Sequence, residues 1–284
     1  MSTADGSQAN PYIATTYTEL LTYGQEPGEI YIKIGNNINI IDEYPDGNMP
    51  ELTLTNCHID GNNKAIYNWY KSTAGYCINR SNTSDYTSTI TNLTFANIYI
   101  TSTCDGFFQC SASHDVPYFE LCNFHGVLYN LFKKSNYSAK AELKSCSLNL
   151  DLRASVSQGN STLDDFGGIF WNNCYLKAQD IKSNTERPFF SNFYGNPFAK
   201  DSYFEIETTA TSMTQYKDGK GATNSIFDIT TNTTYTWGNA TGYSCSIFRQ
   251  SHAPNLTESN NIIAIDEPHW LDVSYIHDKG FNAG

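Results

Sequence analysis

Carboxylates and aromatic rings are the side chains of this chain that could do chemistry. Asp164 and Asp165 are adjacent acids, and two carboxylates can act as general acid and general base across a glycosidic bond. Asp105 is a third candidate acid. Adjacent residues of a strand, however, point to opposite faces, and the preceding segment SQGNSTL is typical of a turn. A solvated turn is therefore the competing interpretation of the pair.

Three aromatic residues lie close together between residues 63 and 87. Trp69, Tyr70 and Tyr76 could form a platform on which a sugar stacks, because binding sites combine aromatic surface with a few polar groups. Long loops on a stiff scaffold are common places for such residues. The alternative is that these rings are buried against the wall of the fold. Both interpretations stay open at this stage.

A recurring phrase identifies the elements that must position these residues. It consists of an apolar residue, a spacer, Asn or Ser, a second apolar residue or Cys, another spacer and usually Ile or Leu. Copies occupy residues 54–59, 95–100, 121–126, 143–148 and 171–176, with the Asn or Ser positions 41, 26, 22 and 28 residues apart. Strand-like phrases at such intervals are typical of the stacked coils of a solenoid.

Within each phrase the alternation of apolar and polar residues slips by one position at the Asn or Ser. A slip of one would turn the later side chains to the wrong face unless the backbone bends there. Asn suits such a bend because it tolerates left-handed backbone angles. We therefore expect superposed corners along one axis at Asn56, Asn97, Asn123, Ser145 and Asn173.

These patterns predict an all-β chain in three parts. Residues 1–28 form an N-terminal arm and a capping helix, residues 29–265 form a parallel β-helix, and residues 266–284 form a C-terminal capping tail. The helix is expected over Thr15–Tyr23, where it would cover the open end of the solenoid. The long first interval predicts an insertion over Asn63–Thr87. A right-handed course is expected, because parallel crossovers are almost always right-handed.

Composition excludes several classes of function. The 284 residues carry a net charge of −12, which opposes binding to nucleic acid. We expect no membrane span and no signal peptide. Cys57, Cys146 and Cys174 share a position in the phrase, which favours buried free thiols over disulfides. No spacing indicates a metal site, and no cofactor is expected.

Three segments carry a resemblance to a known class: LTLTNCHIDGNNKAIYNWY at 52–70, ITNLTFANIYI at 90–100 and FELCNFHG at 119–126. They resemble right-handed parallel β-helix proteins of the pectin-lyase-like class, and more narrowly the short β-helix proteins of bacteriophages. The ending at 275–281, YIHDKGF, is similar to a tail found on such proteins. The resemblance implies a virion component or a surface adhesin more than any reaction.

The catalytic motifs of that class are mostly missing. Its hydrolases carry Asn-Thr-Asp, Asp-Asp, Gly-His-Gly and Arg-Ile-Lys, and this chain has only the Asp-Asp at 164–165. Its lyases need a basic residue beside calcium-binding acids. The four arginines of this chain do not lie within clusters of acids in the sequence.

The sequence therefore predicts a non-enzymatic structural protein of a bacteriophage virion, as a tail, fibre or capsid-surface component. Such a protein would be made in the host cytoplasm, dock to other virion proteins through its N-terminal arm and form a homo-oligomer, with a trimer as one candidate. Its loops would contact a host-surface glycan. The alternative is a tailspike-like glycan depolymerase, either a glycoside hydrolase or a lyase, that uses Asp105, Asp164 and Asp165.

Overall fold

A computed structural model of the chain describes the following residues: 4–80, 88–101, 103–110, 118–128, 131–134, 141–153, 164–165, 169–180, 188–190, 199–209, 212–214, 222–230, 247–250 and 262–264. The first elements are β1 (Tyr12–Ala14), α1 (Tyr17–Gly24), β2 (Ile30–Ile34), β3 (Ile38–Asn39), α2 (Ile40–Glu43), β4 (Leu52–Leu54), β5 (Cys57–Tyr67), β6 (Tyr70–Lys71), β7 (Tyr76–Arg80), β8 (Thr89–Ile100) and β9 (Gly106–Cys110). They continue with β10 (Tyr118–Glu120), β11 (Asn123–Leu128), β12 (Phe132–Lys134), β13 (Ala141–Lys144), β14 (Ser147–Leu152), β15 (Asp164–Asp165), β16 (Ile169–Asn172) and β17 (Tyr175–Asp180). The last are β18 (Pro188–Phe190), β19 (Ala199–Lys200), β20 (Tyr203–Thr208), β21 (Ser212–Thr214), β22 (Ala222–Thr223), β23 (Ile226–Thr230), β24 (Ile247–Gln250) and β25 (Ile262–Ala264).

The strands stack in parallel into a β-solenoid with three faces. Face A contains β1, β2, the first part of β5, the first part of β8, β10, β13, β16, β19 and β22. Face B contains β3, the later parts of β5 and β8, β11, β14, β17, β20, β23, β24 and β25. Face C contains β4, β7, β9, β12 and β15. The predicted parallel β-helix is confirmed.

One column of left-handed residues forms the corner between faces A and B. Its φ angles lie between 49° and 55°, and strand register superposes its members. The members of this corner column are Asn92, Leu121, Ser145, Asn173, Asp201 and Asn224. Asn62 and Asn63, with φ of 51° and 56°, make the same corner in the preceding coil.

The predicted set of corners is therefore only partly right. Ser145 and Asn173 superpose, but Asn97 lies at a second corner within face B, and Asn56 lies between faces C and A. Asn123 is a strand residue, because Leu121 makes the bend of that coil. The prediction failed for two reasons. All three corners use the same residue types, so the local sequence does not distinguish them. In one coil, moreover, the residue at the corner is Leu121, a type that is not typical of a bend.

The predicted insertion over Asn63–Thr87 is also wrong as far as residue 80. This stretch contains the end of β5, then β6 and β7, so it is an ordinary part of a coil. The interval of 41 residues is long because it joins Asn56 and Asn97, which belong to different corners.

Leu121 provides a test of the corner column. Its φ of 55° lies in the left-handed region, which strains the backbone of a Leu. Its side chain is 54% exposed, so burial does little to offset that strain. Because Asn tolerates this conformation, Leu121→Asn is expected to raise the free energy of unfolding by about 1 kcal/mol. Urea denaturation measures the change. Leu121→Ala keeps the strain and serves as the control, and an equal gain from both variants would contradict the explanation.

Small Cys and Ser side chains follow the corner column and line the inside of the bend. Cys174 donates its backbone N–H to Ser202 Oγ over 3.1 Å, and Ser202 donates its own to Ser225 Oγ over 3.3 Å. Cys57 does the same toward Ser88 Oγ, at 3.2 Å, at the corner between faces C and A. In each of these three bonds the later coil supplies the acceptor that a buried N–H of the coil before it needs.

The thiols of this lining are buried, as predicted for Cys57, Cys146 and Cys174. Cys57 nevertheless belongs to a different corner, and the stack that contains the other two includes Cys122 instead. Burial raises the pKa of Cys57 to about 12 and holds the pKa values of Cys122 and Cys174 well above the usual range. Cys57, Cys122 and Cys174 therefore stay protonated at neutral pH and act as small core residues.

Removing one acceptor should show how much stability is lost when a buried corner N–H has no hydrogen-bond partner. Ser202→Ala leaves the buried N–H of Cys174 without its acceptor, and we expect a loss of about 1–3 kcal/mol in the free energy of unfolding. Ser202→Cys restores a group of the kind found elsewhere in the lining and should recover most of that loss. Ser147→Ala, at an exposed position of β14, is the control and should change stability little. Equal losses from Ser202→Ala and Ser202→Cys would contradict the role of the acceptor.

The N-terminal segment covers one end of the solenoid. The predicted capping helix is confirmed as α1, whose N-cap Thr16 forms a capping box with Glu19. Glu43 accepts the backbone N–H groups of Tyr17 and Thr18 at 2.6 and 2.9 Å, which fixes the start of the helix. Residues 4–11 do not extend away from this end, because the Gly6 carbonyl accepts the N–H of Tyr31 at 2.8 Å.

The core is rich in aromatic rings, as the composition suggests. Trp69 packs against Tyr17, Phe95 and Phe107, with ring centroids 5.3–5.8 Å apart. Trp171, the first residue of the recurring phrase at 171–176, is also in the core and is 1% exposed. No helix among the described residues is long and apolar enough to cross a membrane. The predicted C-terminal tail, residues 266–284, lies outside the described residues.

Candidate functional site

A groove of about 420 Å³ opens on the outside of the solenoid, beside the second corner. We call it the tyrosine groove, and its lining residues are Ile41, Pro45, Asp46, Gly47, Asn68, Tyr70, Asn97 and Tyr99. Its volume lies within the range of roughly 300–1,000 Å³ that is usual for small-molecule sites.

Strand register brings the two tyrosines together. Tyr70 of β6 pairs with Tyr99 of β8, and the two rings stack with centroids 5.6 Å apart and planes 9° from parallel. The other wall is the turn that contains Gly47, whose φ is 74°. A Cβ there would come within 2.3 Å of the Tyr70 ring, so only glycine fits. Tyr99 and Gly47 both lie close against Tyr70 and hold its ring in place in the lining of the groove.

A chain of side-chain amides runs along the second corner into the groove. Asn97 donates to Asn68 Oδ1, Asn68 donates to Asn39 Oδ1 over 2.7 Å, and Asn39 donates to the carboxylate of Asp42 over 2.8 Å. We call these four residues the amide column. A carboxylate can only accept, so Asp42 sets the direction of every amide in the chain.

That direction leaves acceptors facing the groove. Asn97 donates through Nδ2, so its Oδ1 is the end of the column and remains available to a ligand. Asp46 adds an exposed carboxylate, and the hydroxyls of Tyr70 and Tyr99 have no hydrogen-bond partner among the described residues. Ile41, 42% exposed, adds apolar surface. The groove therefore combines hydrogen-bonding oxygens with apolar contact area.

A cation stands near one end of the groove. The Arg153 guanidinium carbon lies 6.0 Å from the centre of the Tyr99 ring, and Arg153 Nη2 donates to Asp151 over 3.1 Å. Tyr99 itself is 41% exposed. The Tyr99 ring thus lies beside an arginine that an acid already holds.

The predicted aromatic platform is only partly present. Trp69 is fully buried and donates Nε1–H to the Ile66 carbonyl over 2.9 Å, so it cannot stack on a sugar. Tyr76 does not line the groove, and its backbone N–H is bonded to Glu51 at 3.0 Å. Tyr70 alone of the three lies at the groove, and its partner there is Tyr99, which the sequence did not single out.

The structure does not bring the three candidate acids together. Asp105 precedes β9, and its carboxylate accepts the N–H of Gly75 at 3.0 Å. Asp164 and Asp165 form β15, a strand and not the expected turn, and the β12 strand separates it from β9. Strand spacing and rise place Asp105 and Asp164 roughly 14 Å apart along the backbone. Among the described residues, no group of three or more His, Cys, Asp and Glu could hold a metal ion.

A sequence signal for the groove exists. Asn68-Trp69-Tyr70 and Asn97-Ile98-Tyr99 are the same Asn-x-Tyr phrase 29 residues apart, and Asn39 precedes the first copy by another 29. The assumed insertion hid this repeat, because it assigned the first copy to a loop and the second to a coil.

Comparisons with protein-family models, with curated proteins and with solved structures found no match for this chain. The fold and the groove are therefore the basis of any functional conclusion.

Proposed function

We propose that this protein is a non-enzymatic β-helix scaffold that contacts a host-surface glycan through the tyrosine groove. The observation that carries this proposal is the pairing of Tyr70 and Tyr99 beside the outward oxygen of Asn97. Sugars present hydroxyls and apolar C–H surface together, and the groove offers a partner for each. The net charge of −12 and the carboxylate of Asp46 disfavour polyanionic ligands.

The setting that we propose is a bacteriophage virion, where the protein serves as a tail, fibre or capsid-surface component. The resemblance to phage β-helix proteins supports this setting, and so does the stiffness expected of strands stacked in register. The end closed by α1 and residues 4–11 would face other virion proteins, and a trimer would repeat the groove around one axis. Several weak sites acting together give a much higher avidity than one.

Binding is tested with the purified full chain and a series of neutral gluco-, galacto- and manno-oligosaccharides, using saturation-transfer NMR and calorimetry. We expect Tyr99→Ala to weaken the binding of the best oligosaccharide about tenfold, because it removes a stacked ring and a hydroxyl, a loss of about 1.4 kcal/mol. Tyr31→Ala is the matched control, since Tyr31 also stacks on a neighbouring ring, His58, but on face A. The control should bind as the unchanged protein does.

Four results would count against the proposal. Absence of binding to the whole series would overturn glycan contact through this groove, and equal weakening by the two variants would place binding elsewhere. New reducing ends during incubation would favour the depolymerase. Antibody labelling of purified particles tests the virion setting, and particles that lack the protein would contradict it.

A further inference from the structure

We infer that Asp42 acts through the amide column to make the groove selective for sugars that donate hydrogen bonds at the Asn97 position. Asp42 does not line the groove. It is a positioning residue whose carboxylate fixes and polarises three amides between itself and the ligand. This inference rests on the proposed function and specifies which glycans the groove accepts.

The donors and acceptors of the amide column fix the direction of its hydrogen bonds. Asp42 accepts from Asn39, so the oxygen of Asn39 faces Asn68 and the oxygen of Asn68 faces Asn97. Were Asn97 flipped, its oxygen would meet the Asn68 oxygen and both would lose a hydrogen bond. The groove therefore receives Oδ1 of Asn97, an acceptor, and not a donor.

The carboxylate also strengthens that acceptor. A hydrogen bond to a charged group is roughly twice as strong as a neutral one, and each bond in a chain polarises the next by about 10–30%. Donation toward Asp42 thus increases the negative partial charge on each amide oxygen in turn, ending at Asn97. The exposed carboxylate of Asp46 in the same groove adds a second acceptor of the same sign.

An acceptor-rich groove discriminates among sugars by the group that they present. An amino group of a hexosamine, charged as an ammonium, gains most from Asn97 Oδ1 and Asp46, while a neutral hydroxyl gains less. A uronate carboxylate meets two acceptors that cannot donate to it, and the guanidinium of Arg153 near the groove is already held by Asp151, so a uronate is the least favoured ligand. The expected order of affinity is hexosamine, then hexose, then uronic acid.

The test uses three disaccharides with one β-1,4-glucan skeleton: the glucosamine disaccharide of chitosan, cellobiose and cellobiouronic acid. We expect the amino disaccharide to bind the unchanged protein roughly tenfold more tightly than cellobiose, with cellobiouronic acid weakest, since charge-assisted bonds are the stronger ones. Asp42→Asn should reduce the preference for the amino sugar roughly threefold or more, because it removes the charge at the base of the column.

Glu207→Gln is the matched control for the loss of one negative charge. Glu207 is exposed and follows Tyr99 along the same outward row of face B, through Val127, Asp151 and Gln179. Four strand spacings separate it from Tyr99, about 19 Å, which exceeds the Debye length of about 8 Å at physiological salt. The control should leave the order and the ratios unchanged.

A readout without any sugar separates this inference from the proposed function. The side-chain amide signals of Asn68 and Asn97 in ¹⁵N NMR spectra should shift in Asp42→Asn and stay in place in Glu207→Gln. Unshifted signals, or equal affinities for the three disaccharides, would overturn the selectivity mechanism and leave glycan contact standing. Absence of binding by all three, with shifted amide signals, would instead overturn the groove as a site for these glycans.

Discussion

Replacing Gly126 with alanine is expected to lower the free energy of unfolding by about 2–5 kcal/mol. Gly126 has a φ of 149°, and a Cβ there would lie 2.2 Å from the Ile98 carbonyl oxygen and 2.5 Å from its nitrogen. Both contacts are with the backbone of β8, so no side-chain rotation can relieve them. The strain and the clash must therefore be accommodated by separating two paired strands.

Gly28 allows the two contributions to be separated. It also has a positive φ, 99°, but a Cβ there would have nothing within 4 Å. Gly28→Ala should therefore cost only the backbone strain, about 1–2 kcal/mol. Urea denaturation of both variants measures the difference. If Gly126→Ala lost no more stability than Gly28→Ala, the close approach of β11 and β8 would be wrong.

Trp69→Ala should cost about 3–5 kcal/mol, the usual loss for a large buried aromatic residue. Trp69 joins the helix to the coils, because its ring contacts Tyr17 of α1 as well as Phe95 and Phe107. The truncation also leaves the Ile66 carbonyl without the indole donor. The loss should appear as a lower midpoint in both thermal and urea denaturation.

Trp69→Phe and Tyr76→Ala are the two variants with which the loss of stability in Trp69→Ala is compared. Phenylalanine keeps most of the ring contacts but not the indole N–H, so its cost should be well below that of alanine. Tyr76 is only half-buried, and its truncation should cost less than that of Trp69. A loss below about 1 kcal/mol for Trp69→Ala would contradict its place in the core.

The stacked-coil architecture was predictable from the sequence, and the register of the coils was not. Alternating apolar residues around Asn or Ser identify a bent strand wherever they occur, so the solenoid and its capping helix follow from local patterns. Which corner a phrase occupies depends on pairing between coils, and Asn56, Asn97 and Asn173 look alike locally while lying at three different corners. Leu121 added to the difficulty, since its left-handed angle contradicts its residue type.

The candidate site depends on register and was therefore found only in part. Tyr70 was among the predicted residues, but its partner Tyr99 becomes visible only once the two coils are aligned 29 residues apart. Trp69 was grouped with Tyr70 because they are adjacent, although neighbours on a strand face opposite ways. The local sequence around Asp42 does not mark it as part of a site, because its carboxylate acts on the groove only through Asn39, Asn68 and Asn97, which lie in three different coils.

The backbone N–H groups of two buried residues in the lining of the corner column donate in the same direction along the molecule. Cys174 donates its N–H forward to Ser202, and Ser202 donates its N–H forward to Ser225, so each of these two bends is completed by the coil that follows it in the chain. During synthesis, such a bend therefore has a backbone N–H without a hydrogen-bond acceptor until the Ser of the next coil is added and packs against it. We expect the solenoid to form vectorially from its N-terminal cap, with every completed turn acting as the template for its successor.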